Sequence, residues 1–131
     1  MEVRVDLAQI LISDTREQQI ITLRERNGPR SLQIVIGGNE ASAIHRRVRG
    51  ETPARPLTHE LLANIVEALG GELEKIIISD LKDDTYFATL VIRRGTELLE
   101  IDSRPSDAIA LGVAGEVPLY VNDDVLRVAS H

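Results

Sequence analysis

"IDSRPSDAIALGVAG", residues 101–115, puts two aspartates, an arginine, two serines and a proline between the end of an apolar strand and an apolar helix. Its reading depends on an earlier stretch, "IGGNEASAIHRRVRG", residues 36–50. Ile36, Ala43, Ile44, Val48 and Gly50 recur as Ile101, Ala108, Ile109, Val113 and Gly115, and Glu51 and Pro53 recur as Glu116 and Pro118, all at an offset of 65. Working outward, "ILISD" at 10–14 returns as "IIISD" at 76–80, and Thr22-Leu23 and Gly28 return as Thr89-Leu90 and Gly95, at offsets of 66 and 67. The small drift falls in turns, where length changes are tolerated.

Each half then reads as three strands and a short apolar helix. The strands are "VRVDLAQILIS", "QQIITLRE" and "RSLQIVI" in the first half, and "ELEKIIIS", "TYFATLVIR" and "TELLEI" in the second. The helices "NEASAIHRRV" and "PSDAIALGV" stop at Gly50 and Gly115, where a C-terminus favours a residue free to take positive φ. Between the halves, about 2–53 and 72–121, lies an inserted helix at about 57–69. It carries Leu61, Leu62, Ile65, Val66 and Leu69 on one face, Thr58 as N-cap and Gly70-Gly71 as stop. "VPLYV", 117–121, is the last strand. The expectation is one α+β domain over 1–131, built from duplicated βββα units around a mixed sheet.

Composition narrows the function classes. The 131 residues include 43% hydrophobic ones, enough for one core. With no cysteine, disulfides and thiolate metal sites are excluded. No signal peptide is evident and no apolar run approaches the ~18 residues of a membrane helix, so the chain reads as cytoplasmic, with no membrane partner. The net charge of -6 repels phosphate backbones, so nucleic-acid binding must be local. Tyr86, Phe87 and Tyr120, the only aromatic residues, are too few for a stacking platform.

Positions that agree between halves belong to the shared fold, whereas polar positions that differ mark an acquired task. Against "GGNEAS" the second corner has "DSRPSD". Asp102 and Asp107 flank Arg104, a set suited to holding magnesium or manganese through one or two carboxylates while the arginine clamps a phosphate. The structural alternative is a helix entry: Ser103 or Ser106 as N-cap, Pro105 in the first turn, Asp107 at the positive helix end and Asp102 paired with Arg104. His59 and Glu60 open the inserted helix, where a histidine suits general-base work or an exposed first turn equally. Arg46, Arg47, Arg49 and Arg55 are the one dense basic stretch, either a phosphate-backbone patch or a solvated face balanced by Glu40 and Glu51. Asp80, Asp83 and Asp84 read as a turn, with Asp14 at the position matching Asp80. No nucleophilic triad, phosphate-cradling loop or dinucleotide fingerprint is present, and no organic cofactor is expected.

"RPLTHELL" (55–62), "DSRPSDAIAL" (102–111) and "PLYV" (118–121) resemble the bifunctional nuclease family, a bacterial, archaeal and plant domain named from plant members reported to cleave DNA and RNA. The resemblance covers about residues 2–126. It departs from many relatives at Ala114, where they carry arginine. The resemblance implies cleavage of DNA or RNA, and the carboxylates of the second corner make the expected chemistry weak, metal-assisted phosphodiester hydrolysis. Asp102 and Asp107 would hold the ion, Arg104 would neutralise phosphate charge and His59 would handle the attacking water. Arg46, Arg47, Arg49, Arg55 and Ser106 would bind substrate. The alternative is a non-catalytic module for a nucleotide, another small ligand or a protein partner. Short exposed strands point to a dimer in either case.

Overall fold

The computed structural model describes residues 1–13 and 18–130. Elements follow in the order β1 (Glu2–Leu11), β2 (Gln18–Glu25), β3 (Ser31–Gly37), α1 (Gly38–Val48), α2 (Thr58–Ala68), β4 (Gly71–Lys82), β5 (Thr85–Arg94), β6 (Glu97–Ser103), α3 (Pro105–Val113), β7 (Leu119–Asn122) and α4 (Asp123–Ala129). The seven strands form one mixed sheet ordered β3-β2-β1-β7-β4-β5-β6. Two antiparallel meanders, β1-β2-β3 and β4-β5-β6, are joined by the short β7, which runs antiparallel to β1 and parallel to β4. The architecture is α+β, as the strand-and-helix periodicity predicts, with four helices among the described residues where three are expected.

The alternation of side chains along β-strands places the core. Val5, Leu119 and Ile76 lie opposite one another across β1, β7 and β4, and Val3, Val121 and Ile78 form the next row. Val5, Ile76, Ile78 and Val121 are essentially inaccessible to solvent, as are Ile21, Leu23 and Ala88 on neighbouring strands. Ala41, Ala43 and Ile44 of α1, most of α3, and Val125 and Leu126 of α4 close over these strands in one cluster. The predicted α+β sheet thus acquires a fourth helix, α4, beyond the last expected strand. Asn122 caps it by accepting from the Asp124 N–H at 3.1 Å.

Three local expectations change. Thr58 is the first helical residue of α2 and not its cap. Leu57 holds the extended N-cap conformation, and its N–H donates to Glu60 Oε1 at 3.1 Å, a bond that Glu60 can reach and Thr58 cannot make to its own turn. Gly50 and Gly70 take positive φ as expected, but after α3 that role passes to Glu116, φ 54°, with Gly115 still in the closing turn. The apolar face of α2 also points outward. Leu61, Leu62, Ile65 and Leu69 are each two-fifths or more exposed, and only His59 of this helix is buried. Asp14 lies outside the described residues.

Candidate active site at the helix corners

α1 and α3 pack side by side with their N-termini together and their C-terminal ends together, tied by an ion pair at the entry and by arginine-to-carbonyl hydrogen bonds at the far end. At the entry, the Arg104 guanidinium lies 3.5 Å from Glu40 Oε1. At the far end, Arg47 donates to the carbonyls of Ala110 and Leu111 and pairs with Glu60 Oε2 at 2.7 Å. Arg47 thereby ties α1, α3 and α2 into one layer. With its side chain one-tenth exposed, it is an internal staple and not part of an open basic face. Burial pushes the Glu60 carboxyl up, but the bonds from Arg47 and the Leu57 N–H outweigh it and hold its pKa below the ordinary value.

The staple at Glu60 and the cap at Leu57 fix the first turn of α2 against α3. They bring His59, 8% exposed, to Asp107. His59 Nε2 lies 3.0 Å from Asp107 Oδ1, while Arg104 Nε donates to Asp107 Oδ2 at 2.9 Å. Both oxygens of Asp107 are therefore engaged, and the chain of contacts runs His59, Asp107, Arg104, Glu40. Burial pushes the Asp107 carboxyl up, and the hydrogen bonds and charges of Arg104 and His59 more than reverse this, leaving its pKa below the ordinary aspartate value. Asp107 and Glu40 in turn raise the Arg104 pKa. An ionised carboxylate only accepts hydrogen bonds, so Nε2 of His59 carries the proton and Nδ1 is the basic nitrogen of the neutral ring.

The other sequence-selected residues are spread more widely. Asp102 faces Thr89 across β6 and β5, whereas the next pair, Ser103 with Ala88, belongs to the covered face. Alternation therefore sends the Asp102 side chain to the sheet face opposite the helices, away from Asp107. Arg104 itself is the extended N-cap residue of α3, Pro105 is its first helical residue, and neither Ser103 nor Ser106 caps it. Instead, Ser103 donates to the Arg104 carbonyl at 2.8 Å, and Ser106 is buried. Arg49 is exposed and lies 3.4 Å from Glu51, Arg55 is exposed, and the Arg46 Nε is buried without a partner. Asp80 accepts from the Leu81 N–H at 2.8 Å and pairs with Lys82 at 3.4 Å, a local strand arrangement.

The residues do not fit a divalent ion shared by Asp102 and Asp107. The two carboxylates lie on opposite faces, Asp107 is committed to His59 and Arg104, and no group of three or more histidine, aspartate or glutamate side chains gathers among the described residues. The Asp107–His59 contact itself escapes sequence reading because it joins residues 48 apart. The sole hint is that both stand in first turns of apolar helices. A cleft of about 450 Å³ adjoins Arg104, between the two helix corners and the β4–β5 turn. A larger cavity of about 560 Å³ lies at the other, C-terminal end of α3 beside β1 and touches none of His59, Asp107 and Arg104.

Comparison with known proteins gives this geometry its context. Residues 21–131 match the bifunctional nuclease domain. The chain is 40% identical over 128 residues to the uncharacterized protein Rv1829 of Mycobacterium tuberculosis, covering 98% of this chain and 75% of that protein. It is 27% identical over 115 residues to bifunctional nuclease 2 of Oryza sativa subsp. japonica, covering 85% of this chain and 35% of the plant protein. It is 31% identical over 72 residues to bifunctional nuclease 1 of Arabidopsis thaliana, covering 53% and 22%. The chain thus spans about a third or less of these plant relatives. It belongs to the bifunctional nuclease domain family.

Proposed function

We propose that this chain hydrolyses phosphodiester bonds of nucleic acid at the corner formed by His59, Asp107 and Arg104. The observation that carries this reading is the continuous contact chain in which one carboxylate orients both an imidazole and a guanidinium. Nδ1 of His59 takes a proton from water as the water oxygen bonds to phosphorus. The imidazolium so formed is stabilised by Asp107, while the departing oxygen, on the opposite side of phosphorus, takes a proton from solvent as the P–O bond breaks and the imidazolium then releases its own to water. Arg104 is held by Asp107 through Nε and by Glu40 at Nη1 and is two-thirds exposed, so the solvent side of its guanidinium meets the charge growing on the phosphoryl oxygens. Because the carboxylates do not fit a shared ion, no step is routed through a metal. Arg46 lies six residues beyond Glu40 along α1, a rise of roughly 9 Å, and with Arg49 and Arg55 it would hold flanking phosphates.

The two βββα runs, β1-β2-β3-α1 and β4-β5-β6-α3, are read here as copies of one unit, the second of which acquired Arg104 and Asp107 at the corner. Burial of His59 favours a second reading, in which the same contacts latch α2 to α3 and the domain binds without cleaving.

Incubation of the purified chain with labelled single- and double-stranded DNA and RNA tests the proposal, with magnesium, with manganese and with excess chelator. The expected result is cleavage that survives the chelator. Absence of cleavage in every arm favours the second reading.

A further inference from the structure

The cleft beside Arg104 is built from both halves of the chain. Gln33 and Gly37 come from β3 and Glu40 from α1, while Asp84 and Tyr86 come from the β4–β5 hairpin and Arg104 from the second corner. At about 450 Å³ it has the size of a small-ligand site and not of a groove for a duplex. Its polar groups are sorted. Arg104 stands at one side, bonded through Nε to Asp107 behind it, whereas Gln18, Gln33, Asp84 and the half-buried Tyr86 line the remainder.

The hairpin that supplies Asp84 and Tyr86 has a tight two-residue turn. Lys82 pairs with Thr85, so the loop has two residues, Asp83 and Asp84, at φ 50° and 63°. This is a type I′ turn, whose first position suits aspartate and whose second favours glycine, so the carboxylate at Asp84 is the less usual choice and stands at the lip of the cleft. Burial and the Asp84 charge raise the Tyr86 pKa, so the phenol keeps its proton and remains a donor.

We propose that this cleft takes one unpaired nucleotide, with the base against Tyr86, its polar edge on Gln18, Gln33 and Asp84, and its phosphate at Arg104. Resting on the cleavage reading above, this assignment makes the substrate single-stranded at the cleaved position, because a base inside a duplex stack cannot enter the cleft. The Asp84 carboxylate, at the lip away from Arg104, repels phosphate and accepts from base amino groups or sugar hydroxyls, which fixes the orientation.

The test is fluorescence anisotropy with a labelled single-stranded oligonucleotide, the same sequence as a duplex, and AMP or ribose 5-phosphate as competitor. The wild-type chain is compared with Tyr86→Ala, Tyr86→Phe and Gln33→Glu, each checked by thermal melt. Loss of one stacked base weakens binding roughly tenfold. That loss is expected for Tyr86→Ala and for the duplex, with Tyr86→Phe near wild type and AMP competing better than ribose 5-phosphate. Exposed Gln33 keeps the test decisive if Tyr86→Ala unfolds, since Gln33→Glu is also expected to weaken binding. Equal affinity for single strand and duplex, no response to Gln33→Glu, or no oligonucleotide binding at all overturns the assignment. Binding with this pattern but without cleavage leaves it standing and removes only the catalytic reading, whereas cleavage indifferent to Tyr86 and Gln33 does the reverse.

Discussion

Arg47 Nη1 lies 2.7 Å from Glu60 Oε2 and Nη2 lies 3.1 Å from the Leu111 carbonyl, with nine-tenths of the side chain out of water. Truncation leaves Glu60 and two helix carbonyls short of their donor. The expected cost of Arg47→Ala is about 2–3 kcal/mol, read from urea unfolding. Exposed Arg49, which pairs with exposed Glu51, is expected to cost little when replaced. The run "HRRVR" therefore hides one structural residue among surface ones, and its sequence does not say which, because the partners come from helices 13 and 63 residues away. Asp107 supplies the pH dependence at this scale. Its pKa is lower in the folded chain than in the unfolded one, so its contribution to stability is present above about pH 4 and is lost as pH falls through the folded value. The stability advantage of wild type over Asp107→Asn is expected to shrink between pH 7 and pH 3 in denaturant titrations.

At the scale of elements, α2 shows how far periodicity reaches. Leu57, Leu61, Ile65 and Leu69 recur at intervals of four and mark a helix with an apolar strip, which the structure forms. The strip is bare because contacts with a low-hydrophobicity signature hold the helix instead: His59 on Asp107, Glu60 on Arg47, and Ala63 and Val66 toward the start of β4. Pattern identifies an apolar face but not which side of the helix the rest of the chain supplies. Leu61→Gln is accordingly expected to change stability by no more than about 0.5 kcal/mol in thermal or urea melts, despite removing a leucine from an amphipathic helix. The strands were legible throughout, since alternation and turn residues delimit each, and the helices of 36–50 and 101–115 were legible through their agreement. The cap residues were not, because Leu57 and Arg104 take that role through neighbouring side chains and backbone conformation.

At the scale of the molecule, β7 seats Leu119 and Val121 between β1 and β4 and so makes one sheet from two meanders. That junction sets the corners of α1 and α3 side by side and allows Arg104 to reach Glu40. The corner at 102–107 was visible in sequence as the place where the halves differ, yet the assembled site is His59, Asp107 and Arg104, with Asp102 turned to the other face. A strand's last residue shows its side only when its register is known. The central claim is that His59 and Asp107 act as one catalytic unit, and initial cleavage rates for wild type, His59→Ala, Asp107→Asn and the double variant, each verified as folded, test it directly. Each single change is expected to lower the rate by about 10²–10⁴-fold, with the double variant no slower than the worse single one. Rates that fall independently and multiply, or that do not fall in the folded variants, would contradict it.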